Sequence, residues 1–154
     1  MRLLPIIATF AVSVHAAAQP TAEAMTAEVT DNVATEYAEC AAYFAVVQGA
    51  FQSAGKEAEA KKFKAASDKA ARFSLLAASE SRSEEMATRV TLARFEMSLK
   101  TMQKTIGNDY SNISLLMNKH SESCVEAMTD SSALIKRWTD TISSKYSKSS
   151  SAPR

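Results

Sequence analysis

Apolar residues recur three and four positions apart in four segments of the chain, which is the spacing of one face of an α-helix. Short polar stretches separate the segments, so each segment is predicted to form one helix. The apolar positions are, in chain order, Val29, Val33, Tyr37, Cys40, Phe44, Val47 and Phe51; Phe63, Ala66, Ala70, Phe73 and Ala77; Leu92, Phe95, Leu99, Met102 and Ile106; and Ile113, Met117, His120, Cys124, Ser131, Ile135, Trp138 and Ile142.

The polar stretches contain residues that begin and end helices. Gly55 and Gly107 can adopt the left-handed conformation that follows a helix C-terminus. Ser81 and Glu84 have the spacing of a capping box, which predicts the start of the third helix. Asn108 or Asp109 is expected to accept hydrogen bonds from the first amides of the fourth helix.

Connections of a few residues turn successive helices antiparallel. The sequence therefore predicts an all-α fold, an antiparallel up-down four-helix bundle over residues 19–143. Residues 144–154 are rich in Ser and Lys and are predicted to form a flexible tail.

The first eighteen residues have the pattern of a secretory signal peptide. Arg2 supplies a positive charge, residues 3–14 are mostly apolar, and three alanines at 16–18 predict cleavage before Gln19. A buried N-terminal helix is the alternative, but Pro5 interrupts it. The apolar run is too short to span a membrane, and no later stretch approaches transmembrane length. We therefore expect a periplasmic or secreted protein without a transmembrane segment.

Composition narrows the fold and the partners. The 154 residues fit one domain, and 46% of them are hydrophobic, which is enough for a core. Three glycines and three prolines are too few for a turn-rich β fold or a glycine-lined phosphate loop. The formal net charge is +1, which gives no reason to expect nucleic acid as a partner.

The charges of the first two helices are of opposite sign. The first helix is acidic over residues 23–39, and the second carries mostly lysine and arginine. Counted back from Gly55, Glu36 and Glu39 come level with Lys69 and Arg72. Pairing between them would favour the antiparallel register. The alternative is a basic stripe that binds an anionic partner.

Cys40 and Cys124 lie on the apolar faces of the first and last helices. They lie about thirteen and fifteen residues from the turns at one end of the bundle, a height difference of about 3 Å at 1.5 Å per residue. In an oxidising compartment this predicts a disulfide. Two buried free thiols or a redox pair are the alternatives, although redox cysteines are usually close in sequence.

His120 is the residue that could bind a ligand or a metal. It lies one helical turn from Cys124, so a zinc site with Cys40 and Cys124 can be drawn, but a disulfide would consume both thiolates. Met97 lies at a similar height, which makes a Met–His pair for haem conceivable. We favour a hydrogen-bonded core histidine above a disulfide, with no metal and no cofactor.

The sequence contains no nucleophile elbow, zinc-protease motif, phosphate loop or dinucleotide fingerprint. One histidine and two paired cysteines beyond the signal sequence leave few groups for covalent or acid–base chemistry. We therefore expect a protein that is not an enzyme.

Residues 40–51 of the first helix carry no charge. Tyr43, Val46 and Ala50 form a second apolar stripe beside the core face, and Gly49 would let another helix approach. The stripe is a candidate face for a protein or cell-envelope partner, or for a weak homodimer. The alternative is a helix that its neighbours bury over a wide arc.

Three stretches resemble a loose group of small exported bacterial helical proteins of unknown function. They are Glu39-Cys40-Ala41-Ala42-Tyr43-Phe44, Asn112-Ile113-Ser114 and His120-Ser121-Glu122-Ser123-Cys124. Members of the group have one cysteine in each terminal helix. The resemblance agrees with a disulfide and implies no activity.

The leading functional hypothesis is a non-catalytic exported helical-bundle protein that binds a protein or envelope partner. The alternative is a carrier that binds a small ligand or haem in the bundle core around His120.

Overall fold

A computed structural model describes residues 21–150. These residues form five α-helices and one 3₁₀ turn, without a β-strand among them. The helices are α1 (Ala22–Ser53), α2 (Glu57–Ser79), α3 (Glu84–Thr105), α4 (Ser114–Thr129) and α5 (Ser131–Ser150), and the 3₁₀ turn is Tyr110–Asn112. The all-helical class is confirmed, whereas the predicted number of four helices is wrong. The predicted signal peptide, residues 1–18, lies outside the described residues.

The ends of the first three helices follow local signals. Gly55 and Gly107 have φ angles of 70° and 64°, as expected for residues that follow a helix C-terminus. Thr21 caps α1 by accepting a hydrogen bond from the amide of Ala24 at 3.2 Å. The cap of α3 is Ser83 rather than Ser81, since Ser83 Oγ accepts from the amide of Met86 at 3.4 Å.

The predicted fourth helix is divided at Asp130. This residue has φ −136° and ψ 85°, outside the helical region. Its Oδ1 accepts a hydrogen bond from the amide of Ala133 at 2.9 Å, so Asp130 acts as the N-cap of α5. Helix α5 runs on to Ser150 and so includes the first part of the segment predicted as a flexible tail. Residues 151–154 of that segment lie outside the described part of the chain.

Helix α1 is the centre of the fold and contacts every other helix. Small buried residues let α2 approach closely: Ser67 and Ser74 donate hydrogen bonds to the carbonyls of Ala41 and Ala34 at 2.9 and 2.7 Å. These pairs also show that α1 and α2 are antiparallel, because the partner number falls as the residue number rises. The core therefore follows the length of α1, which has eleven buried residues against five in α2.

Four residues that the helical spacing assigned to the core are exposed: Leu92, Met117, Ser131 and Ile135. On the last two helices, Leu116 and Leu134 are buried instead. Across both helices the buried positions keep helical spacing, but Leu116 and Leu134 each lie one residue before the positions predicted from the sequence.

The predicted charge pairing between the first two helices is not formed. Glu36 pairs with Arg137 of α5, and Glu39 pairs with His120 of α4. Lys69 instead places its ammonium group 5.3 Å from the ring centroid of Phe73 on the same helix. These acidic residues of α1 therefore tie the last two helices, and not α2, to the centre of the fold.

Candidate functional site

Cys40 of α1 and Cys124 of α4 lie at disulfide distance. Their Sγ atoms are 2.09 Å apart and their Cα atoms 5.3 Å apart, as predicted for this pair. Both residues are 1% exposed, so solvent thiols do not reach the sulfur atoms in the folded chain. The cysteines join helices that are far apart in sequence, and they form the floor of a polar groove.

His120 lies one helical turn before Cys124 and faces α1. Its Nδ1 is 3.2 Å from Oε1 of Glu39, and its ring centroid is 5.9 Å from that of Tyr43. His120 is buried, whereas the Glu39 side chain is 43% exposed. The histidine is therefore enclosed by the core on one side and reaches a solvated carboxylate on the other.

Burial lowers the pKa of His120 below its ordinary value of 6.5, because the charged imidazolium is poorly solvated there. The negative charge of Glu39 acts in the opposite direction, and the positive charge of Lys119 adds to the lowering. The imidazole is thus neutral at pH 7. Its Nδ1 remains 3.2 Å from the Glu39 carboxylate, so the interaction between the two groups is electrostatic.

One helical turn before Glu39, Glu36 joins α1 to α5. Its two carboxylate oxygens accept hydrogen bonds from Arg137 at 2.7 Å and from the indole nitrogen of Trp138 at 2.8 Å. The Glu36 side chain is only 14% exposed. Both oxygens are occupied, so Glu36 has a positioning role for the adjacent side chains of α5 and little capacity for a ligand.

These residues surround a groove of about 390 Å³ between α1, α4 and α5. Glu36 and Glu39 lie along α1, Lys119 and His120 belong to α4, and Arg137 belongs to α5. The groove therefore contains two acidic and two basic residues beside a neutral histidine. It combines both signs of charge with a wall of partly buried aromatic surface from Trp138.

The described residues do not form the zinc site or the Met97–His120 haem site that the sequence analysis considered. The sulfur atoms of Cys40 and Cys124 lie at disulfide distance from each other, and a disulfide would leave no thiolate for zinc. Within residues 21–150, no three His, Cys, Asp or Glu side chains are grouped as metal ligands. Met97 is 65% exposed on α3, and that helix contributes no residue to the His120 groove.

The uncharged stripe of α1 is core rather than an accessible partner face. Tyr43 and Val46 are each 2% exposed, and Ala50 is partly buried. The space over Gly49 is taken by Tyr110, whose hydroxyl group would clash with a Cβ atom added there. The chain itself therefore covers the surface that the sequence offered to a partner helix.

A different apolar surface is open to solvent between α2 and α5. Val29 and Val33 of α1 form its floor, and Leu76 and Ile135 stand on its two sides. The side residues are 64% and 49% exposed. Sequence reasoning missed this groove because the helical spacing placed Ile135 in the core. The buried position is the preceding residue, Leu134.

None of the helices in the described range is long and apolar enough to cross a membrane. Comparisons with protein-family models, with curated proteins and with solved structures find no match to this chain.

Proposed function

We propose that this chain is an exported, non-catalytic helical protein that binds a protein or cell-envelope partner through the apolar groove between α2 and α5. The observation that supports the proposal is the exposure of Leu76 and Ile135 on opposite sides of an apolar floor. Exposed aliphatic side chains that face one another across a groove fit the apolar face of an amphipathic helix.

The size of the groove suggests a modest affinity. Covering Leu76 and Ile135, which are 64% and 49% exposed, would contribute about 1–2 kcal/mol for each side chain. Part of that gain is offset by the loss of translational and rotational freedom on association. The proposed complex is therefore reversible, and a weak homodimer is one form that it can take.

Export is supported by two independent features. The first is the signal-like pattern of residues 1–18, and the second is the cysteine pair at disulfide distance. Disulfides persist mainly in oxidising compartments, so the second feature agrees with a periplasmic or secreted location.

The non-catalytic part of the proposal rests on how the polar groups are used. Both carboxylate oxygens of Glu36 are occupied by Arg137 and Trp138, and Nδ1 of His120 lies 3.2 Å from the carboxylate of Glu39. Cys124 is at disulfide distance from Cys40, and the hydroxyl group of Ser123 donates to the backbone carbonyl of His120 at 3.2 Å rather than to the imidazole. The proposed protein also works without a cofactor.

The alternative is a carrier that binds a small ligand or haem in the core around His120. It has less support, because Met97 lies on the outside of α3 while Tyr43 packs beside the imidazole. The absorbance spectrum of protein purified from the exported fraction tests this alternative. An intense Soret band would favour it over the partner-binding proposal.

A capture experiment with matched variants tests the leading proposal. Tagged wild-type protein, Ile135→Glu and Val125→Glu are each used to capture partners from the native exported fraction. Val125 is a suitable control because it is 56% exposed on α4 and does not line the groove. We expect a protein, or a second copy of the chain, that wild type and Val125→Glu retain and Ile135→Glu loses. Equal recovery by all three variants would contradict the proposal.

A further inference from the structure

Three side chains around the polar groove keep hydrogen-bonding capacity that the described residues do not use. Glu39 Oε1 lies 3.2 Å from Nδ1 of His120, and within residues 21–150 Oε2 of Glu39 has no hydrogen-bond partner. Arg137 donates to Glu36 through Nη2 only, and Lys119 forms no ion pair in that range. Glu39, Lys119 and Arg137 are all exposed to solvent to a substantial degree. The groove thus offers one acceptor and two donors to a molecule that enters it.

The charges around the groove select against ligands of a single sign. An anion that approaches Lys119 or Arg137 also meets the charges of Glu36 and Glu39. A cation that approaches Glu39 meets the two basic residues. A molecule with one positive and one negative group can place each group beside a residue of opposite charge. Such a molecule also adds no net charge to the groove, whose two acidic and two basic residues already balance.

We propose that this groove binds a small zwitterion of the amino-acid or short-peptide class. Its ammonium group donates to the free oxygen of Glu39, and its carboxylate accepts from Lys119 and Arg137. The volume of about 390 Å³ falls within the range of sites for small molecules. The hydrogen bonds of Glu36 to Arg137 and Trp138 hold the α5 wall in place, and the disulfide holds the α4 wall. The inference is independent of the apolar groove, because the two grooves share no lining residue.

Three related dipeptides test the requirement for both charges. The probes are Ala-Ala, N-acetyl-Ala-Ala, which lacks the ammonium group, and Ala-Ala amide, which lacks the carboxylate. Each is titrated into ¹⁵N-labelled protein while the amide resonances of α1, α4 and α5 are followed. We expect saturable shifts around the groove with Ala-Ala, and binding at least about tenfold weaker with either blocked form, the loss that accompanies one charge-assisted hydrogen bond.

Charge-removing variants identify the residues that bind the probe. Glu39→Gln and Lys119→Gln are expected to weaken Ala-Ala binding by about tenfold each, the change that a hydrogen bond to a charged group supports. Lys136→Gln is the matched control, because Lys136 is the neighbour of Arg137, pairs with Asp140 and lies outside the groove. Circular dichroism verifies that each variant is folded. No saturable shift with Ala-Ala, equal binding of the blocked forms, or equal affinity in all variants would overturn the proposal.

Discussion

The hydroxyl group of Tyr37 donates a hydrogen bond to the carbonyl oxygen of Ala127 at 3.2 Å. In an unbroken helix that carbonyl would accept from the amide of Ser131, but α4 ends at Thr129. The Tyr37 hydroxyl also lies 3.1 Å from Oγ of Ser131, the first residue of α5. One side chain of the central helix therefore satisfies polar groups on both sides of the break.

Replacement of Tyr37 by Phe tests this role. The ring would keep its edge-on packing against Phe73, at 5.3 Å between centroids, but the buried carbonyl of Ala127 would lose its donor. We expect the free energy of unfolding in urea to fall by about 1–3 kcal/mol. Tyr110→Phe is the control, because its hydroxyl has no hydrogen-bond partner within residues 21–150 and its stability should change little. Equal effects of the two substitutions would contradict the role assigned to Tyr37.

The cysteine pair should provide a large part of the stability. The two residues are separated by 84 positions, and closing a loop of that length stabilises a chain by about 4.5 kcal/mol in the chain-entropy model. We expect almost no free thiol in denatured, unreduced protein. Reduction should lower the free energy of unfolding by about this amount, which is measured as a lower midpoint of urea denaturation. Two free thiols per chain, or identical denaturation curves with and without reductant, would contradict the pairing.

The titration of His120 should follow from its burial. It is the single histidine of residues 21–150, so its imidazole proton resonances can be assigned directly. We expect an NMR titration to give a pKa below 6.5, and Glu39→Gln to lower it further, because the carboxylate charge raises the pKa of His120. A value above 6.5 in the wild type, or a rise in the variant, would show that this account of the groove is incorrect.

The same shift predicts a dependence of stability on pH. The folded-state pKa of His120 lies below the unfolded value of 6.5, so the unfolded chain takes up the proton first as the pH falls. The free energy of unfolding should therefore decrease from pH 6.5 down to the folded-state pKa. The slope over that interval should be smaller in His120→Gln, which cannot titrate there.

Asp31 holds two arginines from different parts of the chain. Arg82 of the α2–α3 connection and Arg94 of α3 both donate to its carboxylate, Arg94 at 2.7 Å. Partial burial acts to raise the pKa of Asp31, but the hydrogen bonds from Arg94 and Arg82 outweigh it, and the pKa is lowered. The ionised carboxylate is therefore the form that stabilises the fold, and its contribution is lost as the pH falls through the lowered pKa.

Removal of this charge should be more costly than removal of an exposed one. Arg94 Nη1 is already buried without a hydrogen-bond partner in the described residues. Asp31→Asn would also remove the negative charge that pairs with the guanidinium group of Arg94. We expect a loss of about 1–3 kcal/mol in the free energy of unfolding. Asp68→Asn breaks an exposed pair with Lys64 and should cost under about 1 kcal/mol. Similar losses in both variants would contradict the special role of Asp31.

The contrast between Gly55 and Asp130 shows what the sequence could predict. The turn at Gly55 follows from a local property, because glycine adopts a positive φ angle without strain. The break at Asp130 also has a local signal, since Asp is a favoured N-cap, but apolar residues continue at helical spacing on both sides and favour one long helix. The partners of Glu36 had no local signal, because they depend on how α5 is rotated against α1.

The position of Val46 gives the most direct test of how α1 is covered. Val46 is packed in a cluster with Ile106 and Leu116, and the chain itself provides these neighbours. A carboxylate at this position would be buried without a compensating charge, so Val46→Glu should lower the free energy of unfolding by about 3–5 kcal/mol or prevent folding. Ile135→Glu is the matched control, because that side chain is half-exposed, and it should cost less than about 1 kcal/mol. Thermal denaturation followed by circular dichroism compares the two variants. If Val46→Glu kept the wild-type melting temperature, the stripe of α1 would be accessible after all, and the surface between α2 and α5 would lose its place as the principal candidate for docking.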